Sequence, residues 1–239
     1  MEVLAGIHPV LEAPRAGRAL DRVLLARGAS NPRIRQIADL ARQRGVPVHW
    51  APREALDRAA GGVAHQGVVA SAAAHEYVAL EDIWEGARLL VALDGVEDPH
   101  NLGALIRTAH AAGAGGLIVP ERRAVGLTET VAKAASGALE HLKVARVTNL
   151  NRALDRLKER GFWIYGLDER GPELYHKVSY HAPTVLVLGG EGRGLHEHTR
   201  KRCDFVVRIP VVGTISSLNV SVAAGVVLFE WKRKQEEKT

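Results

Sequence analysis

The chain has 239 residues, of which 46% are hydrophobic, and a formal net charge of +5. This length suits one medium-sized domain together with a smaller one, and the hydrophobic content is sufficient for a packed core. The single cysteine, Cys203, excludes an internal disulfide, and no apolar run approaches the roughly 20 residues of a membrane-spanning helix. No signal-peptide pattern is present at the start, so we expect a soluble, cytoplasmic protein.

The positive charge is concentrated in residues 1–75. They contain ten arginines, no lysine and six acidic residues, whereas the rest of the chain is nearly balanced. A basic excess on a small leading module indicates contact with the phosphates of a nucleic acid. A solvated arginine face that reflects codon usage is the alternative, and the composition by itself does not decide between the two.

Residues 1–75 are predicted to form a compact α/β module. Turn residues and apolar runs predict helices at 6–11, 31–45 and 52–62, and strands at 21–26, 46–50 and 67–71. This alternation predicts a three-layer sandwich. Residues 76–86 are expected to be a linker that includes a short helix at 80–84.

Residues 87–239 are predicted to form a second α/β domain. We predict strands at 89–93, 116–119, 142–147, 163–167, 184–188 and 205–209. We predict helices at 99–112, 128–138, 150–160 and 196–203, and a C-terminal helix that starts at Ser216 and Ser217. Such alternation indicates a mostly parallel sheet with helices on both faces, in which ligands bind beyond the carboxyl ends of the strands.

The first candidate motif spans residues 94–109. Asp98 is expected to cap a helix and Pro99 to take its first position, which places Asn101 in the first turn. Arg107 lies six residues later, about 240° around the helix, so only its long side chain allows it to share a site with Asn101. An ordinary surface arginine is the alternative.

The second motif is a glycine-rich loop after the strand at 184–188. Gly189, Gly190, Gly192 and Gly194 lack the spacing of dinucleotide-binding loops, and no Gly-Lys-Ser or Gly-Lys-Thr follows. Glycine permits close approach of a ligand to the backbone. Glu191 in the middle of this loop favours a hydrogen-bonding role over a simple turn.

The third motif runs from residue 209 to residue 230. A proline and a small-residue loop lead into a helix whose apolar residues recur at helical spacing, namely Leu218, Val222, Val226 and Phe229. Because the serines are expected to cap this helix, the amide of Asn219 has no local role and is a candidate ligand group.

Two other kinds of site are disfavoured. His196, His198 and Cys203 lack the spacing of zinc ligands. A serine hydrolase is disfavoured because the chain has no G-x-S-x-G motif.

Taken together and in this order, the three motifs resemble those of the SPOUT superfamily, in particular the TrmH family that methylates ribose 2′-hydroxyls in RNA. Residues 94–101 and 64–70 are also similar to the branch that methylates a guanosine in bacterial 23S rRNA. The similarity covers nearly the whole chain.

The resemblance implies an α/β fold with a trefoil-knotted, parallel-sheet methyltransferase domain at 87–239. A ribosomal-protein-like RNA-binding domain at 1–75 would precede it. The resemblance also implies S-adenosylmethionine as cofactor, no metal, 23S rRNA as substrate, a homodimer, and no DNA or membrane partner. A different RNA, such as a tRNA or another rRNA site, and a non-catalytic role in RNA binding or ribosome assembly remain open.

Site residues follow from the same resemblance. The positions that match the family's catalytic residues are Asn101, Arg107, Glu191, Ser217 and Asn219. Those that match its cofactor contacts are Gly189, Ile209 and Leu218. The family's proposed activator of the ribose hydroxyl corresponds to Arg107. Because a guanidinium is a poor base, we expect Arg107 to remain cationic and to stabilise the developing alkoxide.

Overall fold

The structure is a computed structural model that describes residues 2–29, 31–190, 192, 194–214 and 217–237. It divides into two compact units, of which the first comprises Met1–Glu76 and Gly126–His141 and the second comprises Tyr77–Val125 and Leu142–Thr239. These units differ from the predicted domains because residues 126–141 pack with the N-terminal module. None of the helices that the structure describes has the length and hydropathy needed to cross a membrane.

The helices and strands follow one another along the described chain in this order: β1 (Glu2–Ala5), α1 (Ile7–Arg15), β2 (Leu20–Ala26), α2 (Pro32–Gln43), β3 (Val48–Ala51), α3 (Arg53–Ala59), β4 (Val68–Ala72), α4 (Glu81–Trp84), β5 (Leu89–Asp94), α5 (Pro99–Ala111), β6 (Gly116–Pro120), α6 (Glu129–Ala135), a 3-10 helix (Ala138–Glu140), β7 (Val144–Val147), α7 (Leu150–Glu159), β8 (Trp163–Leu167), β9 (Glu173–Leu174), β10 (Thr184–Gly189), α8 (Glu197–Arg200), β11 (Phe205–Arg208) and α9 (Val220–Glu236).

The first unit contains a mixed sheet in the order β1-β4-β2-β3. Strands β2 and β3 are parallel, and β4 is antiparallel to both β1 and β2. Helices α1 and α2 bury Val10, Ile34 and Ile37 on one face of the sheet, and α3 buries Leu56 on the other. The predicted three-layer sandwich is therefore confirmed, although the short strand β1 was not predicted.

A buried ion-pair network explains why residues 126–141 belong to this unit. The guanidinium of Arg18 contacts Glu2 at 2.6 Å and Glu140 at 2.9 Å, and its side chain is only 9% exposed. His75 lies 3.1 Å from the same carboxylate of Glu140. A buried arginine needs carboxylate partners, and here they come from β1 and from the 3-10 helix. These partners are far apart in the sequence, so local patterns did not reveal them.

The second unit contains, within the described residues, a seven-stranded sheet in the order β7-β6-β5-β10-β8-β11-β9. Its strand pairings are parallel, as predicted. The central strand β10 is buried along its whole length and lies between β5 and β8. In this register Gly189 lies opposite Asp94, so the glycine loop begins where β5 ends.

Helix α5 begins as predicted. The carboxylate of Asp98 accepts a hydrogen bond from the backbone N–H of Asn101 at 2.8 Å, and Pro99 takes the first helical position. An N-cap and a proline at this position stabilise a helix start. The buried face of α5 carries the apolar residues Leu102, Leu105, Ile106 and Ala109.

The predicted start of α9 at the serines is wrong. Ser216 lies outside the described residues, and the N-cap is Asn219, whose side-chain oxygen accepts from the N–H of Ser221 at 2.9 Å. The helix therefore begins at Val220. An asparagine is as good an N-cap as a serine, and only the backbone path between β11 and α9 selects one over the other.

The buried face of α9 is not the apolar stripe seen in the sequence. Residues Val220, Ala224, Val227, Leu228 and Trp231 face the core, and the indole N–H of Trp231 donates to Thr184 at 2.7 Å. The side chains at the other positions are exposed, by 41% at Leu218, 54% at Val222 and 47% at Phe229. Helix α9 thus has a core face and a second, exposed apolar face.

Candidate functional site

The candidate site lies at the carboxyl ends of the central strands. The backbone N–H of Gly190 donates to the carbonyl of Asp94 at 3.1 Å. Gly190 and Gly194 then form an isolated antiparallel bridge, so the glycine loop folds back on itself. Ligand sites of open α/β sheets occur at this end of the strands.

Glycine is required in this loop because backbone segments touch each other. A Cβ atom at Gly189 would overlap the backbone of Gly194, and one at Gly190 would overlap the carbonyl of Gly95. Gly194 has φ of +63°, and a Cβ there would lie 2.7 Å from a carboxylate oxygen of Asp168. The sequence predicted a loop whose backbone a ligand can approach closely. In the structure, part of this close contact is between the two ends of the loop itself.

One cavity opens between the glycine loop, the end of β8 and the segment that follows β11. It brings together four of the predicted site residues, Gly189, Ile209, Ser217 and Leu218. The remaining lining residues are Leu167, Asp168, Glu169, Leu188, Gly190, Gly192, Gly194, Val211, Val220 and Ala223. We call it the loop cavity. Apolar side chains and exposed backbone groups suit a flat aromatic ring with polar edges, and the carboxylate of Glu169 suits hydroxyl or ammonium groups.

A second cavity lies on the other side of the glycine loop. It is lined by Asn101, Asp94, Arg123 and His196, and it shares Gly190, Gly194 and Val220 with the loop cavity. The amide nitrogen of Asn219 donates to the side-chain oxygen of Asn101 at 2.9 Å. The starts of α5 and α9 are therefore linked beside the glycine loop, and the amide of Asn219 serves as a cap and as a link.

Three predicted site residues are not among the residues that line these cavities. Asn219 contacts the lining residue Asn101 but is itself absent from the described lining of both cavities. Arg107 is exposed on α5 and is absent from the described lining of both. Glu191 lies outside the described residues.

Asp168 was not predicted from the sequence. It follows β8, its side chain is fully buried, and it accepts from the backbone N–H of Leu195 at 3.0 Å. Burial would raise the pKa of Asp168, but hydrogen bonds from Arg170 and from backbone N–H groups lower it to about 2. Because this value is below the usual pKa of about 4, the ionised carboxylate stabilises the folded protein above that pH, and the contribution is lost as the pH falls toward 2.

A contact between Asp94 and His196 was also not predicted. The backbone N–H of His196 donates to Asp94 at 2.9 Å, and its ring Nδ1 lies 3.0 Å from the other carboxylate oxygen. That nitrogen has no well-aligned hydrogen bond, so we treat the ring contact as electrostatic. Both aspartates directly follow or end a buried strand, and this is the sequence signal that identifies them.

The arrangement of possible metal ligands is a separate feature of this site. Within the described part of the chain, no group of three or more His, Cys, Asp or Glu side chains is arranged to hold a metal ion. Burial raises the pKa of the Cys203 thiol to about 12, so this side chain behaves as an apolar core group.

Two family models match the chain. The SpoU rRNA Methylase family matches residues 88–229. A model described as RNA 2'-O ribose methyltransferase substrate binding matches residues 3–78. A Bacillus subtilis protein assigned to the TrmH family of tRNA/rRNA methyltransferases is 42% identical over 240 residues, which cover 98% of this chain and 96% of that protein.

Solved structures share the fold. An AdoMet-bound rRNA methyltransferase from Sinorhizobium meliloti matches with a TM-score of 0.82 at 28% identity, covering 97% of this chain and 87% of its own. A solved structure that concerns the 2-OH methylation of C/U34 on tRNA matches with a TM-score of 0.58 at 26% identity. It covers 63% of this chain and 98% of its own.

Gly189→Ala is expected to displace the glycine loop. Its Cβ would overlap backbone atoms that cannot rotate away, so we expect the free energy of unfolding to fall by about 3 kcal/mol. Gly192→Ala is the control, because φ is +74° there but no atom lies within 4 Å of the added carbon, and it should cost only about 1 kcal/mol. Urea unfolding measures both, and equal losses would contradict the predicted backbone contact.

Proposed function

This chain belongs to the SpoU rRNA Methylase family and is an S-adenosylmethionine-dependent RNA 2′-O-ribose methyltransferase. We propose that its substrate is a guanosine in 23S rRNA. The observation that carries the site is the loop cavity, which four predicted residues line beside the linked amides of Asn101 and Asn219. The catalytic and cofactor residues below are part of the proposal.

Support for an rRNA target comes from the organisation of the chain. The S. meliloti rRNA methyltransferase has counterparts for nearly all of it, whereas the tRNA-related structure lacks counterparts for about a third. The similarity of residues 94–101 and 64–70 to the branch that acts on 23S rRNA supports guanosine. Methylation of a tRNA is the second candidate, because the B. subtilis relative is described for both RNA classes. Either substrate places the protein in the cytoplasm.

The residues of the loop cavity fit S-adenosylmethionine. We assign the adenine to the apolar wall at Ile209 and Leu218, where backbone groups at Gly189 would form hydrogen bonds with its polar edge. The cofactor supplies a methyl group on a sulfonium, which is already an activated leaving group, so the reaction needs no metal. The protein's task is then to orient the ribose hydroxyl and to exclude water.

We assign the substrate side to the linked amides. Asn101 and Asn219 are held by each other and by the helix starts on which they lie. Amides fixed in this way provide donors and acceptors for a ribose without carrying charge. Ser217, which lines the loop cavity, and Glu191, which lies outside the described residues, complete the proposed catalytic set.

In this proposal the protein is a homodimer, and Arg107 contributes to the active site of the partner subunit. The exposed apolar face of α9, at Val222 and Phe229 with the half-buried Val226 between them, adjoins α5, because Thr108 lies 3.8 Å from the position of a Cβ on Gly225. We propose that a second copy of the chain covers this face. Arg107 directly precedes Thr108 on α5, and in the proposed dimer its side chain would lie near Ser217 of the partner subunit. An interface of this kind buries apolar side chains that are otherwise costly to expose.

The RNA contact is assigned to the carboxyl ends of β2 and β3 in the first unit. Arg27 and Arg53 are exposed there, and Trp50 on the edge strand β3 is 39% exposed. The guanidinium of Arg27 donates to the backbone carbonyl of Trp50 at 3.2 Å, so the cation is held at the residue that carries the exposed indole. An exposed indole can stack on an unpaired base while arginines contact phosphates.

The function is tested by mapping 2′-O-methyl groups in rRNA and tRNA from cells with and without the gene. Loss of one 23S rRNA guanosine methylation supports the proposal. Loss of a tRNA methylation identifies the second candidate. Purified protein that binds S-adenosylmethionine but methylates neither RNA would contradict both.

Trp50→Ala, and Arg27→Ala combined with Arg53→Ala, are expected to weaken RNA binding. Stacking contributes about 1–3 kcal/mol per base. Each lost phosphate contact should reduce the slope of the logarithm of the binding constant against the logarithm of the salt concentration by about one. Filter binding to 23S rRNA fragments across a salt series measures both. Arg42→Ala is the control, because Arg42 pairs with Asp39 on α2. Equal effects of all three variants would refute the assignment.

Phe229→Glu is expected to convert the dimer to a monomer, because a carboxylate would be buried in an apolar interface. Light scattering after size-exclusion chromatography gives the mass. Arg152→Glu, at an exposed position of α7, introduces the same charge away from this face. A monomeric unsubstituted protein, or a dimer that survives Phe229→Glu, would contradict the proposed interface.

Arg107→Lys is expected to lower kcat by about 100-fold without adding an ionisation to the pH profile, because lysine lacks the planar fork of arginine. The measurement is the rate of methyl transfer from pH 6 to pH 10 (about the range that separates the two roles). Arg152→Lys should have no effect. Near-normal activity controlled by a pKa typical of lysine would show that residue 107 acts as a base.

A further inference from the structure

We infer that Asp168 is a positioning residue that holds the glycine loop in the form that binds S-adenosylmethionine. The inference rests on the proposed function only in placing the cofactor in the loop cavity. It concerns a carboxylate that the matched motifs do not include and whose hydrogen bonds join three segments of the cavity wall.

The carboxylate of Asp168 fixes the exit of the glycine loop. Its Oδ2 atom accepts from the N–H of Leu195 at 3.0 Å and lies against the Cα of Gly194, where it leaves no room for a side chain. The backbone N–H of Asp168 donates to Val207 on β11 at 3.0 Å. Asp168 thus connects the end of β8, the exit of the glycine loop and the strand that leads to Ile209.

Arg170 keeps this buried carboxylate ionised. Its Nε and Nη2 atoms donate to the two carboxylate oxygens of Asp168 at 2.9 and 2.8 Å. The carbonyl of Arg170 accepts from Arg200 on α8 at 3.1 Å. A buried charge is tolerated only with such partners, so Asp168 and Arg170 form one unit.

The glycine loop depends on this unit because its glycines have no side chains with which to hold themselves. Glycine has many backbone conformations of similar energy, and external contacts must select one. The Asp168 oxygens are already occupied by Leu195 and Arg170. The carboxylate therefore acts through the loop backbone and not by contacting the cofactor.

The first test compares Asp168→Asn with Asp155→Asn. Asp155 is a carboxylate on α7 that pairs with Arg202 away from the loop cavity. We expect Asp168→Asn to raise the Kd for S-adenosylmethionine about tenfold or more, measured by isothermal titration, while kcat at saturating cofactor stays within about threefold. Hydrogen exchange of the Leu195 amide in cofactor-free protein should accelerate about tenfold. Asp155→Asn should change neither quantity.

Arg170→Gln provides a second route that leaves the carboxylate in place. It should also raise the Kd, and the double variant Asp168→Asn/Arg170→Gln should bind no more weakly than the worse single variant, because the two residues act together. Strictly additive effects would overturn the idea of one unit.

Leu218→Asp separates failure of this inference from failure of the cofactor site. If Leu218→Asp weakens binding and Asp168→Asn does not, the loop cavity stands and the role of Asp168 is refuted. Faster Leu195 exchange with an unchanged Kd refutes it as well. If neither substitution changes the Kd, the proposed cofactor position is itself wrong.

Discussion

Direct contact between backbone segments at Gly189, Gly190 and Gly194 is the constraint on which the rest of the second unit depends. The parallel register sets Gly189 opposite Asp94, and the loop must then turn back within a few residues without room for a Cβ. Every other part of the site is arranged around this turn. The loop cavity and the cavity with Asn101 share Gly190, Gly194 and Val220, so the glycine loop forms part of the wall of both.

Helix starts supply the polar groups next to that wall. Asp98 caps α5 and thereby fixes Asn101, and Asn219 caps α9 while donating to Asn101. Each residue combines a local structural role with a place in the site. The hydrogen bonds that end the backbone of each helix therefore also orient the amides.

In the N-terminal unit, arginine has two different roles. Its core is a conventional sandwich, but Arg18 is buried with carboxylates from both of its chain segments. Most other arginines of this unit are exposed. The unit therefore uses arginine in two ways, as an internal cross-link and as a charged surface. Only burial distinguishes them, because the residue type and the local sequence are alike.

Much of the fold was predictable because its signals are local. The parallel sheet follows from strand–helix alternation, and the start of α5 follows from Asp98 and Pro99. The packing of residues 126–141 with the N-terminal residues was not predicted, and the start of α9 was misplaced, because each depends on distant partners or on the path of the backbone. The stripe at Val222 and Phe229 has helical spacing, but periodicity does not tell a core face from an exposed one.

The sequence by itself determined the order of elements, the family motifs and the residue types at the strand ends, because these depend on neighbours along the chain. Tertiary structure alone decided that Asn219 both caps and links, and that Asp168 holds the exit of the glycine loop. It also decided that Arg107 lies outside the described lining of both cavities of its own chain. The physical reason is that hydrogen bonds and burial are set by distance in space, and the contacting residues Asn101 and Asn219, for example, are 118 positions apart along the chain.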